Sequence, residues 1–276
     1  MATAGEETQQ LGSKQMYEDG EMDEVDALII AEPSERMIVY AHKGTMGFRI
    51  TSKGKSAHSS MPAMGKNAIY PLIQFVKNIE EDFTDISKNL KCEKLNFNEI
   101  WEYASPKLPE NINKNDVYRF LFGPIITDTI INGGEQPNSI PESAVAEFNV
   151  RTVPEYDNNN VKELFNKHIE NLNEQGAHLE QELYLDLDPV LTNGNNDLVC
   201  LGVELANKHF DHDIIKAPTV GGTDASNLLR DKGADFSFLM FGPGERPHAV
   251  DERVNKEIYL KTINYYIDLL TNYTSL

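Results

Sequence analysis

The sequence predicts an α/β protein in which a compact β-α-β-β-α-β block is inserted into a larger α/β domain. Three observations predict it. The run Ala27-Leu28-Ile29-Ile30-Ala31 is continuously apolar and stops at Glu32-Pro33, the pattern of a strand buried on both faces of a sheet. Between Gly47 and Leu185, strand-like and helix-like segments alternate in the order of that block. After Pro189 a helix–strand alternation resumes, as if the first domain were continuing. The 276 residues, 40% of them hydrophobic, suffice for a core in each part.

Residues 6–17 read as a short helix with acidic residues in its first turn, where the helix dipole favours them, and Gly20 punctuates it. Residues 47–51 alternate like a half-buried strand. In 67–83, Ala68, Ile69, Leu72, Ile73, Val76 and Ile79 recur at helical spacing. Residues 84–122 are polar and weakly periodic, hold the only tryptophan, Trp101, and read as an insertion of short helices and loops. Strands at 125–131 and 144–150 are joined through Gly133-Gly134 and Pro137-Asn138, followed by a helix at 158–172 and a strand at 179–185. This completes a ferredoxin-like pattern. A helix at 197–209, a strand at 213–217, a helix start at Ala225, a strand at 236–241 and a helix from 256 to about 270 belong to the resumed domain. The expected division is 1–43, 44–185 and 186–276. The first and last segments form one domain, since the ends of an inserted block usually lie close together.

Forty-four acidic residues against 25 basic ones give a formal net charge of −19. Such a surface repels phosphate backbones and anionic lipid, so neither nucleic acid nor membrane is an expected partner. No apolar run approaches the ~18–20 residues of a membrane span. The first residues lack the basic start and apolar stretch of a signal peptide. Cys92 and Cys200 make neither a disulfide framework nor a thiolate zinc site, which points to a cytoplasmic setting.

Several side chains have the chemistry of a site. Glu6 and Glu7 are adjacent carboxylates; the pair alone reads as a solvated acidic first turn, while a metal would relieve their repulsion, one ligating and the other taking a proton from metal-bound water. Glu32, at a strand end, is a hard oxygen donor or an ordinary terminal charge. His248 follows Phe241-Gly242-Pro243-Gly244 on the loop after a strand and is either a surface loop residue or an imidazole offered to zinc. His58, among small polar neighbours, reads locally as a solvent-facing turn histidine or as a group that could polarise a carbonyl oxygen. Arg151, in the same region as Asn138, reads as a surface ion-pair residue or as a guanidinium suited to a substrate carboxylate. Gly221-Gly222-Thr223 precedes a helix, so its N–H groups could meet an anion, or Thr223 and Asp224 could simply cap the helix. His209-Phe210-Asp211 has metal-like spacing but reads as a surface feature at a helix end.

The order of these strings is more telling than any one of them. Ala-Thr-Ala-Gly-Glu-Glu-Thr, Ala-Glu-Pro-Ser, His42-Lys43-Gly44, Gly-Lys-Ser-Ala-His-Ser-Ser-Met-Pro with Gly65-Lys66-Asn67-Ala68, Asn132-Gly133-Gly134 with Asn138-Ser139-Ile140-Pro141, Gly-Gly-Thr-Asp and a late Gly-Pro-Gly…His follow one another. The chain thereby resembles the dinuclear-zinc metallopeptidases and deacylases that include succinyl-diaminopimelate desuccinylase, acetylornithine deacetylase, aminoacylase and carboxypeptidases. The resemblance implies a zinc-peptidase-like α/β catalytic domain with an inserted lid and dimerisation domain, and a homodimer formed through that lid. It implies two Zn2+ ions, with Co2+ as a substitute. Glu6 would be the general base, Glu7 and His248 ligands of one metal, and Glu32 a ligand of the other. His58 would reach the partner subunit's site to stabilise an oxyanion, while Asn138, Arg151, Gly221, Gly222 and Thr223 would hold substrate. Relatives also carry an upstream His-x-Asp strand and a bridging aspartate. Their absence from this sequence leads to the expectation of an incomplete catalytic domain and no competent hydrolysis by this chain alone. The expected parent activity is removal of an acyl group from an N-acyl amino acid. Di- or tripeptidase action, carboxypeptidase action and a non-catalytic dimerising remnant are the alternatives.

Overall fold

The structure is a computed structural model and describes residues 10–34, 36–246 and 249–274. Along the chain run α1 (Leu11–Glu18), β1 (Ala27–Ile30), β2 (Met37–His42), β3 (Gly44–Lys53), α2 (Ile69–Asn89), α3 (Asn98–Ala104), α4 (Lys114–Phe122), β4 (Ile125–Gly133) and β5 (Ser143–Thr152). They are followed by α5 (Asn158–Glu174), β6 (Leu179–Leu187), α6 (Asp197–His209), β7 (Ile215–Thr219), α7 (Ala225–Leu228), β8 (Ser237–Met240) and α8 (Lys256–Tyr273). The chain divides into two compact units: Met1–Lys43 with Glu93–Leu121 and Pro189–Leu276, and Gly44–Cys92 with Phe122–Asp188.

The second unit contains the expected β-α-β-β-α-β order. Its sheet runs β4-β5-β3-β6 with every neighbouring pair antiparallel. Alternation along the strands sends Met46, Phe48 and Ile50 of β3 and Ala146, Phe148 and Val150 of β5 into one core. There they meet Leu72, Phe75, Ile79 and Phe83, one stripe of α2, and Val161 and Phe165 of α5. Phe165 stacks on Phe48 with ring centroids 4.3 Å apart. Asp157 caps α5 through a capping box with Asn160, satisfying N–H groups the helix leaves open. The sheet face pointing away from this core carries Arg49, Glu147, Asn149 and Arg151, all partly or largely exposed.

The first unit holds a second sheet, ordered β1-β8-β2-β7. β1 runs parallel to β8 and β2 parallel to β7, while β2 meets β8 antiparallel at Val39↔Met240. Val39, Phe238 and Met240 pack with Met22, Ala225 and Leu228. Two expectations change here. β1 is the outermost strand and its four residues are only half-buried, because a border strand has a neighbour on one side alone. α1 begins at Leu11 behind a left-handed Gln10 (φ 51), with no acidic residue in its first turn.

β2 is an element absent from the sequence reading; it passes into β3 through Lys43 alone, so no turn separates the units. Residues 93–121, which the sequence reading placed inside 44–185, group with the first unit. The Lys43 ammonium donates to the Phe120 carbonyl at 2.7 Å, and the Lys216 N–H donates to Glu99 Oε2 at 3.1 Å. Both cysteines are free, Cys92 buried and Cys200 exposed. Among the described residues no helix is long and apolar enough to cross a membrane.

Candidate functional site: two ends of the lid sheet and two strand-end loops

His58 and Asn138 are brought together. β3 leads to one and β5 begins after the other, and the antiparallel pairing of β3 with β5 places both loops at the same end of the sheet. The loops are laced by a bridge between His58 and Ser139. The Ser59 N–H donates to the Asn138 carbonyl at 2.9 Å, and the Ile140 N–H to the Ala57 carbonyl at 2.8 Å. Ser56 and Ser139 hydroxyls lie 3.0 Å apart. The His58 side chain is exposed, and its Nδ1 accepts from the Ser60 N–H at 3.2 Å while lying 2.8 Å from the Ser60 hydroxyl. An accepting Nδ1 puts the proton of the neutral ring on Nε2. His58 therefore presents an N–H donor outward, the form that stabilises a developing oxyanion.

Arg151 is not at that end. It pairs with Thr45 near the start of β3, whereas Ser143 pairs with Lys53 at the other end. Eight residues separate Arg151 from Ser143, and at about 3.3 Å per residue the two ends of the sheet lie roughly 26 Å apart. The guanidinium donates to the Thr45 hydroxyl. Its pKa is lowered by burial, and among the described residues it has no carboxylate partner. A half-buried cation without a counter-ion is a receptive place for an anion.

In the first unit, Thr223 is buried and its hydroxyl accepts from the Ala225 N–H at 3.1 Å. The same hydroxyl lies 3.2 Å from His42 Nε2, while His42 Nδ1 lies 2.8 Å from the Lys43 carbonyl. Only a ring N–H can bond that carbonyl, so Nδ1 carries the proton and Nε2 accepts from Thr223. Thr223 thus makes a local turn bond ahead of α7 and anchors His42. Asp224, the N-cap residue of α7, makes no side-chain cap bond. His42 is a buried anchor that sequence reasoning noted only as part of a string.

Glu32 follows β1 and is partly exposed. Parallel pairing of β1 with β8 brings their carboxyl ends together, and the Ser34 N–H donates to the Gly242 carbonyl at 3.0 Å. The loop that leads toward His248 therefore departs beside Glu32. β2 and β7 run opposite to β8, so the turn after β7 leaves the sheet at the other end. His209, read from sequence as a surface feature, is mostly buried and bonds Asp268 at 2.8 Å between α6 and α8. Its spacing to Asp211 is incidental, since Asp211 pairs with Lys261.

Glu6, Glu7 and His248 lie outside the described residues. Of the expected metal ligands only Glu32 remains to be tested for fit, and one carboxylate does not make a divalent-metal site. Among the described residues no three histidine, cysteine, aspartate or glutamate side chains gather as ligands would.

The chain is an α/β unit interrupted in sequence by an antiparallel sheet-and-helix unit, with an imidazole at one end of the inserted sheet and a guanidinium lacking a carboxylate partner at the other. Residues 40–177 match the peptidase dimerisation domain of the M20 family, half of the chain. The chain belongs to the M20 peptidase family. It is 36% identical to a probable succinyl-diaminopimelate desuccinylase of Staphylococcus epidermidis over 99% of this chain and 66% of that protein. A Staphylococcus aureus protein of the same description is also 36% identical, over 99% and 66%. The chain therefore spans just under two thirds of the length of these relatives. Its fold is similar to an M20 family metallo-carboxypeptidase from Sulfolobus solfataricus, with TM-score 0.74 and 21% identity over 96% of this chain and 67% of that one. It is also similar to human carnosine dipeptidase 1, with TM-score 0.70 and 16% identity over 98% and 65%.

Proposed function

We propose that this chain carries the substrate-binding lid, and part of the hydrolytic domain, of an enzyme that removes an acyl group from an N-acyl amino acid. Succinyl-diaminopimelate desuccinylase-like action is the first choice and acetylornithine deacetylase-like action the second. The observation that carries the proposal is the pair of laced loops holding His58 with its Nε2–H outward beside Asn138. That donor is suited to a carbonyl oxygen becoming an oxyanion. Arg151 suits the carboxylate that every N-acyl amino acid keeps. The staphylococcal relatives support the choice of acyl group by their description. The general-base role of Glu6, the ligand roles of Glu7, Glu32 and His248, and the need for zinc or cobalt belong to this proposal through the family resemblance.

The lid also supports self-association. β4 is an outermost strand, and Ile130 and Ile131 on it are exposed, as are Tyr70 and Ile73 on α2. An uncovered apolar strand edge invites pairing with another strand, and a second copy offers the same edge. In the proposed dimer the β4 edges meet, and His58 serves the partner's site.

The test joins this chain to the upstream third of a staphylococcal relative. It then follows hydrolysis of N-succinyl-diaminopimelate, N-acetylornithine and dipeptides with zinc or cobalt present. Succinyl or acetyl release is expected, and His58→Ala should lower kcat by about 10²–10³, the usual cost of one oxyanion donor. Turnover of dipeptides alone rejects the acyl-group assignment. Dimerisation without any amide hydrolysis favours the non-catalytic reading.

A further inference from the structure

The face of the lid sheet around Arg151 has a feature the family strings do not include. β6 breaks register against β3 between Gly47 and Phe48: Gly47 pairs with Leu185 and Phe48 with Leu183, leaving Tyr184 as the extra residue of a bulge. Bulges re-aim side chains and occur often beside binding sites. Here the bulge lays the Tyr184 ring over Gly47. A Cβ on Gly47 would sit 2.3 Å from Tyr184 Cε2 and 2.6 Å from Cζ, so only glycine leaves room for the ring. The Arg49 guanidinium lies 5.9 Å from the ring centroid and is held by Glu147 at 3.0 Å and Glu182 at 2.9 Å.

The neighbours of this ring are open for business with an anion in a specific sense. Gly47 is directly opposite Asn149, and Thr45 directly opposite Arg151, so the four positions form two adjacent rows on one face. Diagonal neighbours in such rows lie about 7–8 Å apart. Arg49, two residues from Gly47, has two carboxylates; Arg151 has none. Among the described residues neither the Tyr184 hydroxyl nor the Asn149 amide has a hydrogen-bond partner. Burial and the Glu147 carboxylate raise the Tyr184 pKa, which keeps its hydroxyl protonated and able to donate. A fixed phenol donor, an amide and a guanidinium without a carboxylate partner are therefore grouped on a face whose nearby carboxylates, Glu147 and Glu182, are engaged by Arg49.

We infer that Tyr184 is a substrate-binding residue: with Arg151 and Asn149 it holds the carboxylate end of an anionic amide substrate on the open face of the lid sheet. The inference rests on the acyl-amino-acid reading above, and it adds a second donor that no motif indicated. Tyr184 sets specificity by requiring an acceptor at a fixed place, since a ligand with an uncharged, apolar end would leave the guanidinium and phenol unmatched.

The experiment is calorimetric titration of the whole chain with N-succinyl-diaminopimelate, and with its fully amidated, carboxylate-free analogue as control. Tyr184→Phe removes only the hydroxyl, and melting temperature checks that the fold is intact. Binding of the carboxylate probe is expected to weaken about tenfold in Tyr184→Phe, the loss of one charge-assisted hydrogen bond, and more in Arg151→Met, with the control equally weak throughout. Unchanged binding in Tyr184→Phe alongside loss in Arg151→Met overturns the inference and leaves the carboxylate reading standing. Equal binding of probe and control by the unaltered chain, or no effect of Arg151→Met, removes that reading and the inference with it.

Discussion

Replacing Gly54 with alanine tests whether the His58 and Asn138 loops form one clamped unit. A methyl group at Gly54 would sit 2.1 Å from the Lys66 carbonyl oxygen and 3.0 Å from both the Ala68 nitrogen and the Pro141 oxygen. All three obstacles are backbone, so no side chain can swing aside. The same few residues make the Gly54 N–H to Glu142 bond at 2.8 Å and the reciprocal Lys55–Lys66 pair at 2.8 and 2.9 Å. Making room means parting at least the Lys55–Lys66 pair, which costs about 1 kcal/mol per hydrogen bond. Residual overpacking adds about 1–3 kcal/mol. The sum, about 3–5 kcal/mol, should lower the melting temperature of the lid unit by more than about 10 °C in scanning calorimetry. Gly221→Ala is the comparison, because a Cβ there meets nothing within 4 Å; its effect should stay within about 0.5 kcal/mol. In Gly54→Ala, nitrogen NMR of the His58 ring should also show Nδ1 losing its acceptor role as Ser60 moves. A Gly54→Ala chain that melts with Gly221→Ala would refute the clamp.

Phe165→Ala should destabilise the lid by about 3–5 kcal/mol in urea unfolding, since the ring touches Phe48, Phe75 and Phe148 and leaves a cavity among them. Thr223→Val should cost about 1–2 kcal/mol by removing the hydroxyl that accepts from the Ala225 N–H and donates to His42 Nε2. The Asp268 carboxyl is held below its ordinary range by hydrogen bonds from His209 and Lys208. Its contribution is therefore present above the unfolded carboxyl pKa and is lost as pH falls through the depressed folded value. Asp268→Asn should abolish that part of the acid sensitivity in pH-dependent melting, and an unchanged profile would count against it. Ile131→Lys should convert a dimer to monomer in sedimentation, by placing charge on the exposed β4 edge; an unaltered mass would place the interface elsewhere.

What the sequence revealed depended on how local the determinant is. Leu72, Phe75, Ile79 and Phe83 recur at helical spacing, and α5 carries its own capping box, so these helices announce themselves in any window. β2 does not, because it continues into β3 across Lys43 alone, and Gly44, which would punctuate the run, is itself the first residue of β3. β1 shows the reverse failure: its apolar run predicts burial on both faces, but burial is set by a neighbouring strand, which the run itself does not encode. His58 and Asn138 were legible as strings, and their pairing followed from two strands ending together. Tyr184 was not, because a bulge is a relation between β6 and β3 rather than a property of either segment. Glu32 was legible as a strand-end carboxylate, whereas its company depends on residues outside those described.

The distance between the two ends of the lid sheet has a consequence for assembly. His58 and Asn138 stand at one end and Arg151 at the other, roughly 26 Å apart by strand rise, farther than one N-acyl amino acid extends. One copy therefore cannot offer both groups to one substrate, and two copies can if the donor at one end serves the neighbour's site. Mixing His58→Ala with Arg151→Met in the extended enzyme separates the cases. If the groups act across the dimer, a mixed dimer holds one site with both residues intact, and random pairing restores about a quarter of the unaltered activity. If each copy uses its own pair, every site lacks one residue and mixing restores nothing. Recovery on mixing would tie dimerisation to catalysis by geometry. Its absence would mean that Arg151 and His58 do not share a substrate.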